Sequence, residues 1–412
     1  MLWIRLALRN TLRHPRRTLL TAGTVLAATA LLTVLLAYLS GVIGGIVQDY
    51  TAAAGHVRIV STAFAAREEL HPLYENLAAA DEVLEAVRAV PGVRDAQPRI
   101  TTGVVITADE EIGDDFALVT GATDAYYRQH LRGPEHLAAG RWLSGQPREV
   151  VVGRRVAERL GAGIGTEILL LGQTQYGSMS PVTADIVGVV GGNASLDEQV
   201  FLPLAEVQWL TDMPGGALEV LVYGPGREPR QLEPIVEALR SAAGLRDTAV
   251  EAWYQREPWL SVVGMMDGIQ GFIQFFIIML AALAIFNTMS MSVLERTGEI
   301  GVMRAMGMSR PRALGLFLVE SIFIGLLGSA FGVLLGSAGA WYLQTYGVTL
   351  GEDVVAKMGS SFPMKATVYA DLSLSTVATA VLLGIVASVL GALLPALRAS
   401  SIQPVLAMRA RR

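Results

Sequence analysis

Only two lysines occur in this chain of 412 residues, Lys357 and Lys365, followed by Met358 and Ala366. A phosphate-binding loop needs a Gly-rich turn ending in Lys and then Ser or Thr, because the Lys reaches the phosphates and the hydroxyl holds Mg²⁺. No such loop can be written, so the chain is not itself a standard P-loop ATPase. The five histidines form no HExxH zinc site, and His130 and His136 flank a Gly–Pro turn without further ligands of the right type. No serine lies in a GxSxG elbow. The acidic cluster Asp109, Glu110, Glu111, Asp114 and Asp115 lacks EF-hand spacing and reads as a solvated hairpin tip. With no cysteine there is neither a thiol nucleophile nor a disulfide. The reading is of a non-enzyme that binds no metal or cofactor.

The charged segment that stands out is Glu295–Gly307, ERTGEIGVMRAMG, because of what flanks it. Gly268–Leu294 and Ser321–Gly351 carry no charge, and neither do Thr18–Gln48 and Leu372–Leu397. Each run exceeds the ~20 residues that cross a hydrocarbon core of about 30 Å. With 52% hydrophobic and 17% charged residues and a mean hydropathy of +0.45, the composition is that of a membrane protein. The first run is about twice the length of a signal-peptide core, so it reads as a retained span.

Charge sets the orientation. Thirteen arginines lie before the first run, between the second and third, and after the fourth, facing Glu295 and Glu299, with Glu320 counted apart at the edge of the third run. The segment Asp49–Asp267 holds 31 acidic residues against 17 Arg. Basic segments stay in the cytoplasm, so both termini and Glu295–Gly307 are expected inside and the acidic domain outside. The pI of 5.7 averages two opposite faces and implies no nucleic-acid partner.

These elements predict a polytopic α-helical membrane protein with four transmembrane helices and a large α+β extracytoplasmic domain inserted between helices 1 and 2. Residues 1–17 read as an interfacial amphipathic helix anchored by Trp3, with Pro15 breaking the pattern. The spans are 18–47, 266–294, 313–345 and 372–397. The outer domain is 48–265, the coupling segment 295–312, an outer loop 346–371 and a cytoplasmic tail 398–412. Within the outer domain, REVVVG, TEILLLG, ADIVGVV and LEVLVY read as strands, and Val156–Leu160 and Leu204–Leu210 as helices. Leu84–Asp95 matches Val236–Asp247 at a constant offset, each passing from an amphipathic helix through glycine into a strand. This suggests a membrane-proximal module of 48–115 plus 217–265 around a distal lobe of 116–216.

Small residues mark helix contacts. Gly328, Gly332 and Gly336 recur every four residues, as do Gly41 and Gly45. Such stripes let helices approach closely, within one bundle or between two subunits. Glu320 near the inner end of the third span stands alone, where an ion relay would recruit several groups, so it reads as structural.

In this order of elements, ERTGEIGVMRAMGMSRPR resembles the segment after the second span in the FtsX/MacB-like permeases of ABC transporters, with the core Glu299, Ile300, Arg304, Ala305 and Gly307. The tail PALRASSIQPVLAMR looks like that family's C-terminal end, and GHVRI (Gly55–Ile59) is similar to its LolC/LolE branch. The resemblance implies a bacterial inner-membrane protein working with a cytoplasmic P-loop ATPase dimer, which holds the ATP and Mg, and with a second permease as homodimer or LolC/LolE-type heterodimer. Glu295, Arg296, Glu299, Ile300, Arg304, Ala305 and Gly307 would then receive the ATPase's motion, with Glu299 and Arg304 projecting toward it. It further implies lipoprotein cargo, for whose acyl chains Met265, Ile269, Phe272, Phe275 and Phe276 are candidates. A periplasmic chaperone would meet the hairpin carrying Gln173, Gln175, Tyr176 and Met179, which is shorter than the family's. Two other roles fit the same resemblance: MacB-like export of peptides or drugs, and FtsX-like signalling to a cell-wall hydrolase.

Overall fold

The computed structural model describes residues 15–108, 114–192, 196–226, 228–257, 259–349 and 367–401. The interfacial segment Leu2–Arg13, the acids Asp109–Glu111 and the tail beyond Ser401 lie outside the described residues. The chain divides into two compact units. One comprises residues up to Gly44, Gly264–Thr349 and the part from Thr367 onward; the other is centred on Gly45–Val263.

Helix α1 (Pro15–Ala54) leads into β1 (Val57–Ser61), α2 (Thr62–Ala65), α3 (Ala80–Arg88), β2 (Asp95–Thr107) and β3 (Asp114–Ala122). Next come β4 (Leu137–Gly140), β5 (Glu149–Gly153), α4 (Arg154–Arg159), β6 (Glu167–Gln173) and β7 (Met179–Val190). The unit closes with β8 (Gln199–Pro203), α5 (Leu204–Thr211), β9 (Glu219–Tyr223), α6 (Pro229–Ser241) and β10 (Thr248–Ala252).

Among the described residues these ten strands form one sheet in the order β10-β1-β9-β2-β3-β8-β5-β7-β4, with β6 bridging β2 and β7. The pleat is legible in β2, where Ile100, Thr102, Val104 and Ile106 are buried at every second position. Ile100, Val104 and Ile106 join Val119, Leu170 and Leu202 under Val207 and Leu210 of α5. A second core lies where α3 and α6 pack on β1 and β9, and it buries Leu84 and Val87 beside Val236 and Leu239. The two segments related by the sequence offset thus meet in one core. Strand β2 pairs with β9 through Asp95–Arg99 and with β6 through Val104–Thr107. One strand therefore pairs both with β9 of the expected proximal module and with β6 of the expected distal lobe.

Ion pairs stitch this unit. Arg58 of the GHVRI segment is 4% exposed and forks onto Glu68 at 2.6 and 2.7 Å while reaching Glu251 at 2.6 Å. Hydrogen bonds from Arg58 to Glu68, and from Arg159 to Glu198, hold both carboxyls below their ordinary value. Burial, the largest single influence, would raise Asp95, Glu149 and Glu219; it is more than reversed by His130, Gln97 and the Ala96 N–H acting together on Asp95, by Arg141 and Ser144 on Glu149, and by the charges of Arg99, Arg58 and Arg256 on Glu219. All five carboxyls then titrate lower in the folded chain than in the unfolded one. The stability they contribute is complete above the unfolded values near about 4 and is lost as pH falls through the folded ones. Thermal melts of the full chain in detergent are expected to be flat from about pH 7 to about pH 5 and to fall steeply below about pH 4. A midpoint that already falls between neutrality and pH 5 would contradict this.

In the other unit, α7 (Trp259–Glu295), α8 (Thr297–Ala305) and α9 (Arg310–Tyr346) precede a two-stranded ribbon, β11 (Val348–Thr349) with β12 (Thr367–Val368), and α10 (Leu374–Ser401). The helices α1, α7, α9 and α10 have 40, 37, 37 and 28 residues and are apolar enough to cross a membrane. At 1.5 Å per residue even the shortest exceeds a hydrocarbon core of about 30 Å. Their packing depends on small residues. A Cβ on Gly328, Gly332 or Gly336 would lie 2.7–2.8 Å from the carbonyl oxygens of Ala22, Leu26 or Ala30, themselves four residues apart on α1. The glycine stripe is thus the seat of α1 on α9 within one chain. Gly384 of α10 approaches Ser329 and Thr29, and Gly391 meets the Ala282 carbonyl of α7. Gly41 lies against the backbone of Tyr369 and Ala370, whereas an added Cβ at Gly45 meets nothing within 4 Å.

Candidate functional site

The Glu295–Gly307 segment is built by two helix ends and the short helix between them. Helix α7 stops at Glu295, and Arg296 leaves helical geometry (φ −98°, ψ 10°). Thr297 restarts the helix with its hydroxyl returned to the carbonyls of Val293 and Leu294, both at 2.9 Å. At the other end Gly307 takes φ +97°. Its N–H donates to Arg304 O and that of Met308 to Met303 O, each at 3.1 Å, the paired bonds of a Schellman stop. Ser309 then caps α9 with an extended backbone, and Pro311 occupies its first turn, where a missing N–H costs nothing.

Three residues hold this elbow to the bundle. Ile300 is 1% exposed and packs with Val293, Phe317, Ala396 and Ala399. Arg296 Nη1 lies 3.2 Å from both carboxylate oxygens of Glu320, inside the helix bundle. Arg304 Nη1 donates at 2.9 Å to the carbonyl of Ser400 in the last turn of α10, where a cation complements the helix dipole and an orphan acceptor.

Of the two residues expected to project outward, Glu299 is exposed, whereas Arg304 is half-buried and bonded to the end of α10. Ile300 and Arg304 are four residues apart and share the inner face of α8. The outer face is Glu299, Val302 and Met306, at spacings of three and four, with Val302 44% and Met306 76% exposed. Glu295, Ala305 and Gly307 are also exposed. The four-residue spacing from buried Ile300 turns Arg304 toward the bundle and leaves Val302 and Met306 outside.

The other predicted residues divide similarly. Met265, Ile269, Phe272, Phe275 and Phe276 are all exposed on α7, with Phe272 at 67% and Phe275 at 64%. The Phe272 and Phe276 rings are near-parallel, 6.3 Å between centroids. In the β6–β7 hairpin Tyr176 and Met179 are exposed, as is Gln173. Gln175 is not a presented residue: its N–H donates to Thr211 O at 2.8 Å, and its side chain accepts from Asn76 and donates to the Asp212 carbonyl. It ties the hairpin to the end of α5. His130 sits 2.7 Å from Asp95 and stacks on Tyr223, a packing role. Among the described residues no three His, Asp or Glu side chains converge as a metal site would require.

Four apolar helices with a large α+β unit inserted after the first define a multi-pass membrane protein with an extracellular domain. Two family models match the chain: the FtsX-like permease C-terminal model over residues 271–404 and the MacB-like periplasmic core domain over residues 18–241. The latter takes in more than half of the chain, which therefore belongs to the FtsX/MacB-like family of ABC transporter permeases. It is 24% identical over 184 residues to the lipoprotein-releasing system transmembrane protein LolC of Neisseria meningitidis serogroup B, covering 42% of this chain and 43% of the relative. The chain thus spans less than half the length of that curated relative. Two solved structures are similar at 14% identity. The extracellular domain of the noncanonic ABC-type transporter YknZ from Gram-positive bacteria covers 48% of this chain and 98% of its own (TM-score 0.34). The periplasmic region of MacB from Actinobacillus actinomycetemcomitans covers 55% and 97% (TM-score 0.36).

Proposed function

We propose that this chain is the membrane subunit through which a separate cytoplasmic ATPase dimer drives the release of lipoproteins from a bacterial inner membrane. The observation that carries the reading is α8. It is fixed from within by Ile300, Arg296 and Arg304, on contacts reaching α9 and α10. It shows outside an acidic and apolar stripe, Glu299–Val302–Met306. A push on that stripe is passed to helices rather than absorbed by a loop. In this reading the α8 side and both termini are cytoplasmic, ATP and Mg stay on the ATPase, and a second permease completes the assembly.

Lipoprotein cargo is favoured by the likeness to LolC and by the exposed Phe272, Phe275 and Phe276, an apolar face suited to acyl chains. Gln173, Tyr176 and Met179 are the part of the hairpin available to a periplasmic chaperone. The test is purification from the native host with a photo-crosslinker at Phe272 or Phe275. A P-loop ATPase, a permease partner and a crosslinked lipoprotein are expected together. An ATPase with an adaptor protein and no lipoprotein would indicate export instead, and a cell-wall hydrolase would indicate signalling.

A further inference from the structure

Where α1 ends, its last carbonyls have no partner within the helix, because Gly55 turns the chain at φ +72°. The same compact unit, which includes α1 from Gly45 onward, supplies the missing donors from three places. Ala53 O accepts from Arg99 Nη1 of β2 at 2.5 Å and from the Tyr126 hydroxyl at 2.7 Å. Ala52 O accepts from the Tyr223 hydroxyl of β9 at 3.0 Å. Successive carbonyls on a helix point about 100° apart. Holding two of them fixes the rotation of the helix end as well as its height, which apolar contact alone would not do.

The donors are themselves held. Arg99 faces Glu219 across the β2–β9 pair, Nε to Oε1 2.9 Å, and its Nη1 is 3.1 Å from the Tyr126 hydroxyl. Tyr126 and Tyr223 are 1% and 5% exposed. The His130 ring lies parallel to Tyr223 at 3.4 Å and is locked by Asp95. Burial pushes both phenols up, so at neutral pH they remain protonated donors. In the same last turns of α1, Tyr50 packs against Trp259, the first residue of α7, with ring centroids 4.4 Å apart.

We infer that Arg99, Tyr126 and Tyr223 are positioning residues that clamp the final turn of α1 to the sheet, so that this helix end and the sheet keep one fixed orientation. A ligand site is not needed for this; the ligand is the helix's own backbone. The use of the clamp in transport rests on the permease reading above, but its existence does not.

The absence of cysteine makes the full chain in lipid nanodiscs a clean background for paired spin labels. One label goes at Gly45→Cys, where an added Cβ meets nothing within 4 Å, and the other at exposed Glu158→Cys. A single narrow distance distribution is expected. Arg99→Lys keeps a cation opposite Glu219 but loses the fork, and Tyr126→Phe with Tyr223→Phe keeps both rings while removing both hydroxyls. Either variant is expected to lose the narrow distribution. A second pair within the domain, Glu158→Cys with Glu237→Cys, should stay narrow throughout. Unchanged widths across the α1 end in both variants would overturn the clamp. So would equal broadening of the two pairs, which marks a general loosening of the fold. Neither readout requires the ATPase, so a missing ATPase partner leaves this result standing.

Discussion

Gly332→Leu is expected to prevent stable assembly of the helix bundle, whereas Gly45→Leu in the same chain is expected to be silent. At Gly332 even a Cβ would come 2.7 Å from the Leu26 carbonyl oxygen and 2.8 Å from Thr29 Cβ. The first of these is helix backbone and cannot swing aside. A leucine must therefore push α1 away from α9. That lifts the neighbouring contacts at Gly328 and Gly336 together, since all three lie on one seam. Overpacking of a close contact costs about 1–3 kcal/mol at one site, and in a membrane the loss is not repaid by a hydrophobic drive between helices, because packing itself holds them. Fluorescence-detected size-exclusion chromatography should show loss of the monodisperse peak for Gly332→Leu, with Gly332→Ala intermediate. If Gly332→Leu and Gly45→Leu elute alike and melt alike, the α1–α9 seam is wrong.

The contrast between those two glycines shows what a sequence can carry. Their four-residue recurrence was visible, because small residues at that spacing make a smooth face on any helix. Which helix lay on that face was not, since Ala22, Leu26 and Ala30 are some 300 positions away and nothing local marks them. The spans were legible because a run of more than ~20 uncharged residues has few other homes. The strands of the outer unit announced themselves as β-branched runs such as Val150–Val152, all fully buried. The stop at Gly307 followed from the left-handed geometry that glycine tolerates.

Long-range polar contacts were hidden. Arg58 sat in a recognisable GHVRI segment, yet its partner Glu251 is 193 positions on. Arg304 looked like a contact residue because charge usually faces water, and it turned inward because α10 ends beside it with a free carbonyl. Gln175 looked like a loop residue on offer and is spent on Asn76, Thr211 and Asp212. In each case the deciding group comes from a distant part of the chain, where neither propensity nor spacing can see it.

Arg304 also frames the second large effect. Val302→Glu combined with Met306→Glu is expected to abolish ATPase-coupled transport while leaving the fold intact. Both side chains are exposed, so charging them disturbs no internal packing and the melting midpoint should not move. If the stripe seats in an apolar groove of the ATPase, losing an anchor of this kind costs about 2 kcal/mol or more, roughly a thirtyfold weakening of the complex. Arg304→Ala should behave in the opposite way. It removes a charged hydrogen bond to Ser400 O, worth about 1.5–3 kcal/mol, so the midpoint falls while the folded fraction still binds the ATPase. The two variants thus separate binding from bracing, and binding measured in nanodiscs beside a thermal melt reads both. Glu299→Arg reverses the charge beside the same stripe. Glu299 is exposed in the first turn of α8, and an acidic neighbour to the apolar stripe calls for a basic rim on the partner. Reversal should therefore weaken binding most at low ionic strength, where surface charges are least screened. Normal binding by the Val302→Glu and Met306→Glu chain, together with lost binding by a fully stable Arg304→Ala chain, would return Arg304 to the surface and remove the stripe from the coupling.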